Sequence, residues 1–458
     1  MSGVAGIPWR TLAAATLVLF YLAMCGAIAA ARWRRRRQTA RDAASLAGGT
    51  ATVLLAYASQ TGSAEQLAWQ TARSLHAAGI ATRVVPLSEL GKDELCQAER
   101  MLFIVSTYGE GDPPDNASLF AGRWLGRTLP LSKLHHGVLA LGDRQYVRFC
   151  GFGRALDQWL LQCGARPMFD RVEMDNGDEA ALNAWRHHLS RIAGTLDLPD
   201  WQQAPPYEPW RLLARRHLNP GSAGGPTYHL ELAPCEAALP PWEAGDLVQV
   251  LAPGDRDCPR EYSIASIPAD GRLHLLVRQE RHGDGRLGVA SGWLTTQAAL
   301  GDEVSLRLRP HGNFRLGANA ARPLVLVGNG TGLAGLRGHL KARAAAGGAT
   351  RNWLVFGERQ SAHDFYHREE IEDWLARGVL ERADIVFSRD NPSRRYVQDR
   401  LREKAPILRA WVAEGAAIYV CGSLEGMAGG VDAALNDILG TEAVKRLVEE
   451  GRYRRDVY

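Results

Sequence analysis

Several signatures are missing from this chain, and each absence closes a class of function. The seven cysteines, at positions 25, 96, 150, 163, 235, 258 and 421, form no CxxC pair. No Cys/His grouping has the spacing of a zinc or iron–sulfur site. Scattered cysteines in odd number suit a reducing compartment, where most serve as small buried hydrophobes. The doublets His135-His136 and His187-His188 lie beside expected strand or helix ends and read as ordinary histidines, so no metal is expected. No repeat of solenoid period occurs, and the only biased tract is a run of arginines. Acids are absent from the first 41 residues, which hold seven Arg. The formal charge of +4 is therefore local: the remainder sets 47 basic against 50 acidic residues, a balance of −3. Nothing beyond that run suggests a nucleic-acid partner.

Long uncharged stretches are also scarce. The one that spans 21 residues is Thr11 to Ala31, TLAAATLVLFYLAMCGAIAAA. As a helix it would measure roughly 31 Å, enough to cross a bilayer core. RWRRRR follows at once, and its five Arg against Arg10 on the other flank place the rest of the chain on the cytoplasmic side. A cleavable signal peptide is the competing reading, but its cations would precede the apolar stretch rather than follow it. The expectation is a retained single-pass anchor over 1–37 (helix about 11–31) in the inner membrane, with the bilayer as a partner, then a tether over 38–49.

What remains alternates strand and helix. TVLLAYAS, TRVVPL, MLFIVSTY, GVLALGD and PMFDRVEMD read as strands, with helices near Ala64–Ala78 and Phe152–Cys163. Continuous apolar strands separated by helices predict a doubly wound parallel sheet of order 2-1-3-4-5 over residues 50–197. Residues 198–226, rich in Pro, Trp and Gly, read as a hinge. Short alternating strands over 227–320 predict an antiparallel barrel. From 321 to 458 the strand–helix alternation returns. The fold class is thus α/β plus a β-barrel.

Three glycine-punctuated loops follow strands of the first unit, at the carboxyl ends where such sheets bind ligands. Ser59, Gln60, Thr61, Gly62, Ser63 and Ala64 offer hydroxyls and backbone N–H groups between a strand and a helix, a setting that suits a phosphate. Ser106, Thr107, Tyr108, Gly109 and Gly111 form the second loop, and Leu141, Gly142, Asp143 and Tyr146 the third. Rings at Tyr108 and Tyr146 can pack on a planar ligand. A phosphate nest with two aromatics describes a flavin mononucleotide (FMN) pocket, and hence an electron-transfer protein.

Within the barrel, Arg260, Tyr262 and Ser263 of REYSIAS can hold a diphosphate and a flavin face. Further on, Gly288, Val289, Ala290 and Ser291 open a helix-like segment, a second phosphate position. GNGTGLAG contains GxGxxG at Gly330, Gly332 and Gly335, and taken alone would suggest an NAD site with Glu358 on the ribose. Ser388, Arg389, Arg394 and Tyr396 instead supply hydroxyls and cations for a 2′-phosphate, favouring NADP. Cys421 ends a strand, where a thiol can tune hydride transfer or merely pack. The terminal Asp-Val-Tyr is an unusual apolar tail that calls for a docking site.

In chain order, SQTGSA, STYGEGDPPDNA, LGDRQY, REYSIAS, GVASGWL, GNGTG, FSRD, YVQDRL, IYVCG and DVY resemble the diflavin reductases, a family that includes sulfite reductase flavoprotein subunits and NADPH–hemoprotein reductases. The resemblance covers the whole chain after the tether. It implies a flavodoxin-like FMN domain, an FAD barrel and a ferredoxin–NADP reductase-like nucleotide domain, with FMN, FAD and NADPH as cofactors. It also implies electron flow from NADPH through FAD and FMN to a one-electron acceptor, with a hemoprotein or other metal-centre protein as partner. By resemblance Ser263, Cys421 and Asp456 assist hydride transfer, Tyr458 covers FAD until nicotinamide displaces it, and Gln398 joins the nucleotide site.

Four departures stand out. The helical connecting segment of larger members is missing between GDLVQVLAP and REYSIAS. Asn329 and Gly335 stand where relatives carry prolines, and Ser423 where an acid commonly follows the CG pair. Arg144 and Arg148 flank Tyr146 where relatives often carry small or acidic residues. Two other readings compete: a ferric-chelate, siderophore or sulfite-assimilation reductase component, and a flavin- and nucleotide-binding module without turnover.

Overall fold

The computed structural model describes residues 52–59, 62–109, 111–144, 146–175, 178–195, 206–236, 238–347, 351–390 and 392–458. Three sheets follow one another along the chain.

The first contains β1 (Thr52–Ala58), β2 (Ala81–Pro86), β3 (Arg100–Ser106), β4 (His135–Gly142), β5 (Arg166–Pro167) and β6 (Val172–Asp175), in the order β2-β1-β3-β4-β5, with β6 also on β4. Every pairing is parallel. Strand β3 shows why its sequence is apolar without alternation. Met101, Phe103 and Val105 pack with Phe152 and Trp159 on one face, while Leu102 and Ile104 pack with Leu75 and Trp185 on the other. Both faces are covered, so both side-chain sets must be apolar. The single strand expected over PMFDRVEMD is split. Phe169 leaves the ladder to stack on His188 (centroids 4.1 Å apart) and meet Trp185 edge-on, which separates β5 from β6.

The second sheet is antiparallel, in the order β10-β9-β12-β7-β8-β11: β7 (Glu208–His217), β8 (Thr227–Pro234), β9 (Leu247–Ala252), β10 (Asp255–Ser263), β11 (Leu273–Arg278) and β12 (Glu303–Arg309). An Ile264–Leu275 bridge brings the end of β10 to β11, curling the two edges together. Strand β7 corrects the reading of 198–226 as a hinge throughout. Trp210 and Leu212 point into the same apolar core as Leu230, Leu232 and Val248, so this proline- and arginine-bearing stretch is a sheet member.

The third sheet is parallel, β15-β14-β13-β16-β17: β13 (Leu324–Asn329), β14 (Asn352–Glu358), β15 (Arg382–Phe387), β16 (Ala417–Gly422) and β17 (Tyr453–Val457). The terminal segment, which sequence marks only as an odd apolar tail, is edge strand β17. Its register sets Asp456 opposite Cys421.

The expected inner-membrane location requires correction. Among the described residues no helix is long and apolar enough to cross a membrane. The run at 11–31 on which that expectation rested, the tether at 38–49, and Gln60 and Thr61 of the first loop lie outside the described residues.

Candidate functional site

The first loop is tied together by short-range hydrogen bonds at the start of a helix. Gly62 takes a left-handed conformation (φ 93°), open to glycine without strain, and caps the helix Ser63–Ala77. Backbone N–H groups of Gly62 and Ala64 converge on Ser59 Oγ at 2.8 and 3.2 Å, and Asn116 Oδ1 accepts from Ser59 N at 3.0 Å. Ser59 is buried, so these donors form a closed nest at a helix start. In the second loop Ser106 Oγ donates to the Ala58 carbonyl (3.1 Å), while Thr107 Oγ1 is buried with no partner among the described residues. A buried hydroxyl left unmatched beside a phosphate nest fits a polar ligand edge at this position. Leu141 and Gly142 end β4, Asp143 O accepts from Tyr146 N (3.1 Å), and half-buried Tyr146 borders an open depression with Arg144, Val147 and Phe149.

Tyr108 does something the sequence did not disclose. Its ring is buried among Val457, Met427 and Ala428 of the third unit, and its hydroxyl donates to the Val457 carbonyl at 3.1 Å. Gly109 and Gly111 turn the chain beside it with positive φ. Three further contacts tie the first unit to the others. Arg455 of β17 donates from Nε to Asp115 Oδ1 (3.0 Å) and also pairs with Asp432. Burial opposes the Arg455 charge, but the two carboxylates outweigh it and raise its pKa. Asn313 Nδ2 donates to the Ser59 carbonyl (2.9 Å), and the Arg309 guanidinium donates to Ser63 Oγ.

The second site is assembled from three separate segments. Ser263, at the end of β10, donates from Oγ to Asp456 Oδ2 at 2.7 Å across 193 positions of sequence. Cys421 Sγ lies 3.6 Å from the same oxygen. All three side chains are buried. Burial, then the Asp456 charge, pushes the Cys421 thiol pKa well up, so the sulfur stays protonated. Fully buried His311, absent from the sequence reading, puts Nδ1 3.9 Å from Asp456 Oδ1. Tyr262 lies beside the group, and burial raises its phenol pKa. Arg260 reaches Asp255 at 3.5 Å. Gly288 precedes the short helix Val289–Gly292, where Ala290 and Ser291 are buried and Val289 is exposed; Ser291 Oγ accepts from Glu280 N at 3.1 Å.

The nucleotide loop meets this group from the third sheet. Gly330, Thr331 and Gly332 form one tight turn before the helix Leu333–Ala346. A Cβ on Gly332 would stand 2.0 Å from the Cys421 carbonyl oxygen, so backbone packs directly on backbone here. The half-exposed terminal Tyr458 donates from its hydroxyl to Thr331 Oγ1 at 3.2 Å, and its main chain exchanges bonds with Gly422 and Leu424. Two of the sequence departures touch: Asn329 Oδ1 accepts from Ser423 N at 2.9 Å, so they form one local unit. Glu358 is committed elsewhere, to Arg278, to Tyr366 (3.1 Å) and to Arg359 N (2.9 Å), which disfavours a ribose role.

Beyond β15, Ser388 N donates to the Glu358 carbonyl and Arg389 N to the Arg359 carbonyl, both at 2.8 Å. The side chains of Arg389, Arg394 and Tyr396 are exposed, and Arg394 holds a positive φ of 44°. Gln398 Oε1 is buried without a partner among the described residues, a free acceptor beside the nucleotide surface. One grouping carries a geometry that sequence spacing did not flag. His229, Glu231 and His274 bring their ligand atoms within 4.8 Å of one another on β8 and β11. Arg337, 3.2 Å from His274 Nδ1, and nearby Lys341 oppose a cation there, and burial holds the His274 pKa down to about 4.

A family model described as flavodoxin matches residues 55–187, and one described as an oxidoreductase NAD-binding domain matches residues 326–433. Among curated proteins the chain is similar to flavoprotein alpha-components of NADPH sulfite reductase. Identity is 29% to that of Neisseria meningitidis serogroup C (89% of each chain), 28% to that of Vibrio cholerae serotype O1 (92% of this chain, 89% of the relative) and 27% to that of Bacillus subtilis (89% of each). The first of these alignments runs over 540 positions, more than the 458 residues present here, so the relative carries segments that this chain lacks.

Proposed function

The chain is a diflavin reductase, and from that premise we propose that it passes electrons from NADPH through FAD and FMN to a one-electron acceptor, a hemoprotein or other metal-centre protein as the family resemblance implies. One observation carries the reading: Ser263, Cys421 and Asp456, from β10, β16 and β17, meet beneath a terminal tyrosine that is hydrogen-bonded to the nucleotide loop.

When bound, the two flavins supply the redox chemistry, accepting a hydride at one site and releasing single electrons at the other. The protein supplies position and charge. Asp456 fixes the Ser263 hydroxyl and leaves its second oxygen facing His311, so a polar hydrogen is held at a defined atom in an otherwise buried site. Cys421 stays neutral and fills the floor without adding an anion beside the hydride path. Half-exposed Tyr458, hydrogen-bonded through its hydroxyl to Thr331, is a displaceable cover that excludes water until nicotinamide takes its place. Exposed Arg389, adjacent to Ser388, and exposed Arg394 in the following segment discriminate the 2′-phosphate. Ser59, Gly62, Ser63 and Ala64 hold the FMN phosphate, and Thr107 Oγ1 offers an unmatched hydroxyl to the ring system.

Anaerobic stopped-flow mixing with NADPH tests the reading. The expected result is rapid bleaching of flavin absorbance followed by a slower redistribution between two flavins. Nucleotide binding without bleaching would instead support a module without turnover. The intact Ser263–Asp456–Cys421 group argues against that alternative, and the Asn329 side chain accepts a hydrogen bond from the Ser423 backbone without disturbing it.

A further inference from the structure

The phosphate nest is supplied with donors but with no cation from its own stretch of sequence. Between Asp42 and Gln70 there is no Lys or Arg, and the charged residue in the first turn of the following helix is Glu65. A phosphomonoester brings nearly two negative charges. A cation reaches the loop from the barrel. Arg309, the last residue of β12, crosses to the first unit, where its guanidinium donates to Ser63 Oγ while a second nitrogen pairs with Glu261. The segment after it runs along the same loop. The Pro310 carbonyl lies 3.9 Å from where a Cβ on Gly62 would stand, and Asn313 Nδ2 donates to the Ser59 carbonyl at 2.9 Å. The Arg309 side chain is only 18% exposed, and burial depresses its pKa to about 10, so the cation sits largely desolvated against the loop.

We propose that Arg309 is a binding residue for the FMN 5′-phosphate, lent by the FAD barrel to a pocket otherwise built from the flavodoxin-like unit. This rests on the reading of Ser59, Gly62, Ser63 and Ala64 as the residues that hold the FMN phosphate. It follows that FMN binding and docking of the two units are linked: the phosphate strengthens docking by the same factor by which docking strengthens FMN affinity.

The test is titration of the full-length, FMN-depleted protein with FMN and, separately, with riboflavin, which lacks the phosphate, each followed by flavin fluorescence. Arg309→Gln should weaken FMN binding tenfold or more and leave riboflavin within about twofold, as expected for loss of a charge-assisted contact to phosphate. Arg309→Lys should keep most of the FMN affinity. An unchanged FMN affinity in Arg309→Gln, or an equal loss for riboflavin, overturns the assignment and makes Arg309 a packing residue. Should Arg309→Gln not fold, Glu261→Gln serves in its place. By removing the competing carboxylate it should tighten FMN severalfold without affecting riboflavin, and unchanged or weaker FMN binding overturns the assignment. A wild-type protein that binds neither ligand refutes the pocket itself, a result distinct from a pocket that binds FMN without regard to Arg309.

Discussion

The loop after β1 of the first unit and the Ser263–Cys421–Asp456 group between the second and third, which we read as a phosphate loop and a hydride site, are assembled in two different ways. The loop is contiguous: within six residues, Ser59, Gly62 and Ala64 close on one another through hydrogen bonds of 2.8 and 3.2 Å. The hydride site joins Ser263, Cys421 and Asp456, with His311 behind them, from strands in two sheets. A local nest needs only a turn and a helix start. A distributed site exists only while the barrel and the third sheet remain packed. The first should therefore survive opening of the barrel–third sheet junction, weakened only so far as the Arg309 and Asn313 contacts from the barrel are lost, and the second should fail with it.

Four measurements break or sharpen that contrast. The largest effect is expected from Asp456→Asn, which weakens the bond that orients Ser263. Flavin reduction by NADPH should slow by about 10–100-fold, the equivalent of 1.5–3 kcal/mol for a charged hydrogen bond, with FMN content unchanged. Equal losses of FMN and rate would erase the distinction between the sites. Next, Arg389→Ala should raise the NADPH Kd by about 10–100-fold through a lost charge-assisted bond while leaving NADH unaffected; matched losses for both nucleotides would reassign Arg389 to folding.

Acid provides the third probe. Burial depresses His274 to about 4 and His229 to about 2, whereas an unfolded histidine titrates near 6.5. Both are neutral in the folded state, so their contribution is complete above about pH 6.5. It is lost as pH falls from there toward 4, because the unfolded chain takes up the protons first. The slope is roughly 1.4 kcal/mol per pH unit for each histidine. These residues line the junction of barrel and third sheet, with His229 meeting His367 at 5.1 Å between ring centroids. Thermal melting and flavin release at pH 7 and pH 5 should show FAD lost before FMN, and His274→Gln should flatten the acid slope. Simultaneous loss of both flavins would show that the junction does not govern the distributed site. The smallest effect is expected from Ser59→Ala, which removes the acceptor for two backbone donors. FMN should weaken about fivefold, near 1 kcal/mol, with the rate of flavin reduction by NADPH unchanged; a change in that rate would mean that the nest reaches further than its own loop.

Legibility from sequence follows the same divide. The strand order of the first sheet could be read because a parallel sheet buried on both faces demands uninterrupted apolar strands, as in RMLFIVS of β3. The turn that joins Ser59 to Gly62 and Ala64 could be read as a strand-to-helix turn because its partners are neighbours in the chain. Strand β7 could not, since Pro209 and its arginines resemble a linker and only pairing with β8 and β12 makes it a strand. Tyr108 was legible as a loop aromatic, but not its hydrogen bond to Val457, 349 positions away. His311, Arg309 and Arg455 carried no signal at all, because a lone histidine or arginine looks the same on a surface as in a junction.

By itself, the sequence determined most of the elements, the glycine turns and the kinds of chemistry available, because these depend on short-range sterics and on the period of apolar residues. The tertiary structure alone decided which charges face one another across units. It set Asp456 under Ser263, Arg455 against Asp115 and Arg309 over the phosphate loop, since such contacts are fixed by the packing of whole sheets and by the cost of burying an ion without a partner.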